Sequence, residues 1–445
     1  MGGQRITAAG VFVSATWLAM TLAAFFYVGH FASPYPFGDE WDLIPGETAR
    51  EPMPRWLWAQ HNEHRLPLPK LVHWGLMHIS GHDSRAGGFA TAGTLSLLAL
   101  GFVMTARKLR GQIDFADAFF PVALLNWGQF ENYLIGFQIS FALSAGLACA
   151  WLFGALRSQR LPIWTWFVPL LLALCGAHGL AYVPPLGLAT LWLSRGETPL
   201  RRVTAWTLVG LSFAMIALYF RGYGRPADHP QSAGIIPSLK IATEVLALGW
   251  GWVAQMTWPI SGLVALAFVG ATGVLFLVIK FRGFHLVFSA PSPSLSLVPW
   301  LALAAGTVAL ALGIGWGRSG FGPLAGFADR YTLLAFPLVG TAFLAWVRFG
   351  GRIFSSLVPM GMFTVACLML TQHVRTGLSE GKINAGLYES FDHDLRAGFS
   401  PTELASRHPA LFPHAERFAD RLRLLRDAGL ARYHAMGQDE VANAK

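Results

Sequence analysis

Three carboxylates, Asp39, Glu40 and Asp42, stand within four positions of the stretch "FGDEWDLIP" (37–45). Acids this close repel one another, so one holds its proton to higher pH while its neighbour stays ionised. That pairing provides a general base, suited to deprotonating a weakly acidic hydroxyl as it attacks an electrophilic carbon. A second polar stretch, "QHNEHRLPLPK" (60–70), follows. It offers His61, Asn62, Glu63, His64, Arg65 and Lys70 as partners for hydroxyls and for a phosphate leaving group. His61 and His64 are three apart, a spacing that shares one helix face and raises the question of a metal. However, "HNEH" is not the "HExxH" pattern, and the spacing of His73, His78 and His82 does not force them onto one face. A polar sugar- or phosphate-binding patch is therefore expected, with a divalent cation (Mg or Mn) beside the carboxylates left open.

The chain around these groups is strongly apolar. Of its 445 residues 54% are hydrophobic and only 13% are charged, and the mean hydropathy is +0.46. Charged residues near a quarter are usual for soluble domains. Runs such as "TAAGVFVSATWLAMTLAAFFYVG" (7–29) and "GFATAGTLSLLALGFVMTA" (88–106) approach the length that crosses a bilayer. The expected class is an all-α polytopic membrane protein. The first run is long for a signal peptide and lacks an evident cleavage site, so it reads as a retained helix. Cys149, Cys175 and Cys367 all lie in apolar segments and read as small buried hydrophobes.

The formal charge of +9 does not point to nucleic acid, because its basic residues collect in short loops between apolar runs. These are Arg5; Arg107, Lys108 and Arg110; Arg157 and Arg160; Arg195, Arg201 and Arg202; Lys280 and Arg282; and Arg348 and Arg352. Placing them all in the cytoplasm satisfies the positive-inside rule. Crossings are then expected near 10–30, 87–106, 114–128, 137–156, 162–178, 180–194, 203–220, 258–279, 295–315, 331–347 and 353–371, about eleven in all. Pro184 and Pro185 allow a broken helix in 180–194, and 237–256 reads either as an outer-face helix or as another crossing. This divides the chain into a transmembrane domain (1–371) and an outer tail (372–445), with the acidic motif in a first outer loop, 32–86. In the tail, "SPTE" (400–403) has the form of a capping box. A second tail helix near 413–428 would bury Phe418, Leu422 and Leu425 before Gly429, with Leu411 and Phe412 beneath it.

Seven of the fourteen acids outside the tail fall between 39 and 83. Charge concentrated at a bilayer boundary points to a functional site. Other groups expected on the same face are Asn126, Trp127, Gln129, Glu131, Asn132 and Gln138 in "NWGQFENYLIGFQ", where rings suit the C–H faces of a sugar and amides suit its hydroxyls. Interfacial aromatic belts have the same composition. Arg318 and Arg330 in "GWGRSGFGPLAGFADRY" are cations for a phosphate, Arg330 standing near a helix amino terminus. An Asp329–Arg330 anchoring pair is the alternative there. Arg221 and Arg225 are weaker candidates.

A long apolar chain, an acidic group just beyond the first helix, a large first outer loop and an outer carboxy-terminal segment together resemble the GT-C glycosyltransferase superfamily. The resemblance maps the family's acidic motif onto "DEWD", with Asp39 as base, Glu40 as its positioning partner and Asp42 as an alternative. It implies a bundle in the bacterial inner membrane, with a cytoplasmic amino terminus and a periplasmic carboxy terminus. It also implies transfer of a sugar from a polyprenyl-phosphate carrier to an acceptor hydroxyl of a glycan, lipid or protein, with inversion. Arg330, with Arg65 or Lys70, would steady the phosphate. Rival readings are a polyprenyl-lipid or solute transporter, for which Glu244 and the Pro184–Pro185 pair are the hints, a metalloenzyme on the early histidines, and a non-catalytic assembly factor for envelope glycans.

Overall fold

The computed structural model describes residues 7–227, 229–281 and 296–439. Arg5 and Arg282, both counted in the basic loops, lie outside the described residues. The described chain is all helical, with no strand. Among the described residues eight helices are long and apolar enough to cross a membrane, which makes this a polytopic membrane protein.

The long helices are α1 (Ala8–Phe31), α2 (Arg85–Arg110), α3 (Ile139–Arg157), α4 (Pro199–Phe220), α5 (Ile260–Phe281), α6 (Val298–Arg318), α7 (Tyr331–Phe349) and α8 (Gly351–Arg396). Local signals explain their ends. Thr7 caps α1 by accepting the Gly10 N–H at 3.1 Å. The last turn of α2 carries Arg107, Lys108 and Arg110, where cations complement the helix dipole, and left-handed Gly111 ends it. The core is built around α7, in which every residue from Tyr331 to Ala345 is buried. It packs against α2, α3, α5, α6 and α8. Close approach is set by small residues, as where Gly340 meets the Phe102 ring and Gly306 meets Tyr182.

The other three expected crossings, 114–128, 162–178 and 180–194, are built from short pieces. The first comprises Phe115–Ala118, Phe119–Leu124 and Trp127–Gln129. The second comprises Ile163–Trp166, Val168–Ala173 and Ala177–Leu180, interrupted at Gly176 with φ of 85°. In the third, Pro184 and Pro185 open the helix Val183–Leu193 rather than break it, because the missing N–H costs nothing in a first turn. The ambiguous 237–256 stretch falls on a 13-residue helix, Ile235–Ala247, about 20 Å long and by itself too short to cross, followed by the 3-10 turns Leu248–Trp250 and Trp252–Gln255. It lies against the carboxy-terminal end of α6, its Ser238 carbonyl facing Gly315.

The 46 residues of α8 form one helix about 69 Å long, roughly twice the depth of a bilayer core. The expected boundary at 371/372 therefore falls inside a continuous element. Cys367 is exposed on α8 instead of buried; Cys149 and Cys175 are buried as expected. Beyond the apolar part, α8 runs beside the end of α1 and the loop that follows. Tyr27 donates to the Gly377 carbonyl at 2.7 Å, Asn384 to Phe31 at 2.8 Å and Tyr388 to Pro36 at 3.0 Å.

The tail helices Pro401–Arg407 and Ala415–Asp427 form where the sequence signals place them. Ser400 and Glu403 complete their capping box, and Phe418, Leu422 and Leu425 are buried over Leu411 and Phe412. These side chains share one apolar core with Tyr35, Trp41 and Ile44, so tail and acidic loop pack as one unit. The Trp41 and Phe418 rings are 4.6 Å apart. Phe418→Ala should cost about 3–5 kcal/mol of tail docking. Faster proteolysis within 397–439 and a lower melting temperature would register it.

Candidate functional site

The acidic stretch folds as a 3-10 helix, Gly38–Leu43, started at Gly38 with φ of 53°. Its three carboxylates have three different environments. Glu40 is buried, one oxygen accepting the Phe37 N–H at 2.9 Å and the other the Phe137 N–H at 2.8 Å. Burial pushes its carboxyl up to about 7 against the pull of those donors and of His73. Asp42 is ion-paired with Arg417 of the tail, and Arg421 lies 3.8 Å away. Among the described residues Asp39 instead accepts only a side-chain amide, from Asn62 Nδ2 at 2.9 Å. Beneath the loop, His73 lies 3.1 Å and His82 3.9 Å from the buried Glu47 carboxylate. Burial opposes the Glu47 charge, but these partners hold its carboxyl below the ordinary value.

Residues 61–64 form a tight turn in place of the helical face their spacing indicated. His61 N–H meets the His64 carbonyl at 2.7 Å, and His64 N–H returns to the His61 carbonyl at 2.9 Å. Asn62 takes the left-handed conformation at the tip, with φ of 48°. The turn presents Asn62 and Glu63 to a cavity and sets His61 and His64 opposite each other. Burial pushes both imidazoles down, disfavouring their charged forms.

That cavity, about 860 Å³, lies where the acidic loop, the 131–141 segment, the ends of α4 and α6, the start of α7 and the tail converge. Asp39, Glu40, Asp42, His61, Asn62, Glu63, His64, Glu131, Gln138, Arg318 and Arg330 all line it. The weaker candidate Arg225 lines it too, whereas Arg221, Arg65, Lys70, Asn126, Trp127, Gln129 and Asn132 do not. Arg65 spends every guanidinium nitrogen on backbone carbonyls: Trp58 at 2.8 Å, Tyr219 at 3.0 Å, and Arg221 and Gly222 at 3.2 Å. Lys70 is buried and donates to the Trp56 and Ala59 carbonyls at 2.9 Å; burial pushes its amine down to about 8. Both staple the loop, with most of their N–H groups turned to backbone carbonyls and neither side chain in the cavity lining. Asn126 caps its own turn through Gly128, Trp127 donates to Ala23 of α1, and Gln129 accepts from Asn132 and Thr332. Those four hold up the floor from outside the lining.

The lining arginines are each engaged. Arg318 meets Glu63 at 2.6 Å, and Arg330 pairs with Glu131 through its side chain and through its backbone N–H at 3.1 Å. Burial opposes the Arg330 charge, but Glu131 foremost, then Tyr331 and, more weakly, Asp39 hold it protonated. The anticipated Asp329–Arg330 pair is replaced by this cross-segment one, since the buried Asp329 accepts the Glu131 N–H at 3.0 Å. Among the described lining carboxylates Asp39 is the one exposed to the cavity with no cationic partner within 4 Å.

Sequence reasoning missed His414 and Arg417 from the tail, His229, and the aromatic groups Tyr331 and Trp316. Arg417 lies 375 positions from Asp42, and no local pattern links them. Part of the lining is apolar, comprising Leu310, Ile314 and Trp316 of α6 and Phe220 at the end of α4; Trp316 and Phe220 are both exposed. No three ligating side chains form a metal-binding group among the described residues. No family model, curated protein or solved structure matches the chain.

The buried Glu40 makes stability depend on pH. Its folded value lies above the ordinary 4.5, so the folded state binds the proton more tightly. The resulting stabilisation is complete below about pH 4.5 and is lost as pH rises through about 7. Melting temperatures measured from pH 5 to 8 should fall through this window in wild type, and the Glu40→Gln variant should lose that part of the slope.

Proposed function

We propose that this chain is a membrane glycosyltransferase of the GT-C type, transferring a sugar from a polyprenyl-phosphate carrier to an acceptor hydroxyl with inversion. The observation that carries the reading is the placement of Asp39. It is a carboxylate with no cationic partner within 4 Å among the described residues, in a polar cavity that also holds Arg318 and Arg330 and has an apolar wall. Asp39 takes the proton from the acceptor hydroxyl. The acceptor oxygen then bonds to the sugar anomeric carbon as the carbon–oxygen bond to phosphate breaks. The electron pair leaves with the polyprenyl phosphate, whose charge Arg330 and Arg318 stabilise. Glu40 contributes by fixing the backbone that aims Asp39. The exposed Trp316 and Phe220 suit an isoprenoid chain entering from the bilayer.

In this reading the eight long helices and the three segmented stretches make eleven crossings, the basic loops face the cytoplasm, and the cavity opens on the periplasmic side of a bacterial inner membrane. The two hints of a transport pathway have other uses. Glu244 accepts the Gly326 N–H at 3.1 Å beside the cavity-face loop, and Pro184–Pro185 starts a helix.

Native mass spectrometry and a transfer assay on the full-length protein, with a polyprenyl-phosphate sugar and an acceptor extract, test the proposal. Wild type should retain the carrier and release its sugar. Asp39→Asn should retain the carrier and lose roughly 10²–10⁴-fold of transfer. Equal turnover by the two proteins removes Asp39 as base. Carrier retention without turnover by either favours a transporter or an assembly factor. Repeating the assay with a chelator reports whether Mg or Mn takes part.

A further inference from the structure

Glu63 differs from the other lining carboxylates in what it holds. One oxygen lies 2.6 Å from Arg318 Nη2 and the other 2.7 Å from His229 Nδ1. The three residues come from three separate segments: the tip of the 61–64 turn, the end of α6 and the 221–234 connection. No other side-chain contact of the Glu63 carboxylate is evident among the described residues. Glu131, by contrast, is locked by the Arg330 side chain, the Arg330 N–H and its own N–H to Asp329.

The two groups facing Glu63 share a second neighbour, Phe321. The Arg318 guanidinium lies 5.1 Å from the Phe321 ring centroid, and the His229 ring lies 5.3 Å from the same ring. One aromatic side chain thus holds an arginine and a histidine side by side at the cavity wall. A guanidinium fork accepts a carboxylate and a phosphate with the same geometry. We propose that Glu63 is an internal stand-in for a ligand phosphate. It occupies the anion site made by Arg318 and His229 while the cavity is empty, and an incoming phosphate or diphosphate group displaces it. The inference rests on the glycosyl-transfer reading only for the lipid source of that phosphate. The site itself follows from the geometry, and the same chemistry is met by a soluble phosphate.

The consequence is that removing a charged cavity residue strengthens binding. An internal competitor that fills its site nine-tenths of the time lowers apparent affinity about tenfold. Full-length wild type and Glu63→Gln, with melting temperatures recorded for both, are titrated with inorganic pyrophosphate and separately with polyprenyl phosphate in phosphatidylcholine nanodiscs. Glu63→Gln should bind at least one probe about tenfold more tightly, and the gain should vanish in Glu63→Gln/Arg318→Gln. Gain for the lipid alone identifies a carrier headgroup, and gain for pyrophosphate alone identifies a soluble anion. Equal or weaker binding of both probes by a variant that melts as wild type does overturns the proposal.

Should Glu63→Gln fail to fold, wild type gives an independent reading. Saturating phosphate should raise carbodiimide labelling of Glu63 several-fold, and unchanged labelling overturns the displacement. Failure here is distinguishable from failure of the catalytic reading. Asp39-dependent sugar transfer without a Glu63→Gln gain sinks the stand-in alone, whereas the gain without any transfer sinks glycosyl transfer alone.

Discussion

Two backbone N–H groups, on Phe37 and Phe137, converge on one buried carboxylate, and the rest of the site is arranged around that junction. Glu40 ties the start of the acidic 3-10 helix to the turn that launches α3. A side chain at 136 would leave no room for this, since a Cβ there would lie 2.7 Å from the Glu40 oxygen. With the junction closed, Asp39 and Asp42 project on either side of a fixed backbone, one toward the Asn62 turn and the other toward the tail. Gln138 follows at the cavity edge. An acid buried this deeply is costly unless its lone pairs are filled, and the loop ends supply the donors.

The polar groups of the cavity then divide by how tightly they are committed. Arg65 and Lys70 saturate carbonyls and act as internal fasteners. Arg330 and Glu131 pair across two segments and are held from behind by Asp329. Asp39 accepts one bond from a neutral amide, whereas Glu40 accepts two and Asp42 is ion-paired, so Asp39 is the one best placed to exchange a protein contact for a ligand. The division matters chemically, because a group whose hydrogen bonds are already filled by backbone cannot respond to charge developing on a reacting atom.

Hydropathy and capping made the long helices, the tail helices and the acidic region readable in the sequence. The roles inside "DEWD" were not readable, because they depend on partners far away in the chain: Phe137 for Glu40 and Arg417 for Asp42. The same reason hid the use of Arg65 and Lys70. Cations beside histidines look like phosphate ligands until the carbonyls of 56–59 and 219–222 are folded onto them. The count of crossings was blurred where Pro and Gly cut apolar runs into short helices, as at Gly176. The continuity of α8 was not readable, because hydropathy stops near 371 while the hydrogen-bonded helix goes on to Arg396, supported by contacts to α1.

That unbroken α8 has a mechanical meaning. The cavity roof, His414 and Arg417, hangs from the far end of a rod whose apolar end packs along one side against α7 and is largely exposed. The height of the roof above the hydrocarbon is thus gauged by residue count, at about 1.5 Å per residue. Its bearing is gauged as well, since each added or deleted residue turns everything beyond it by about 100°. The length of 372–396 therefore works as a vernier, setting both the elevation and the azimuth at which the tail meets Asp42.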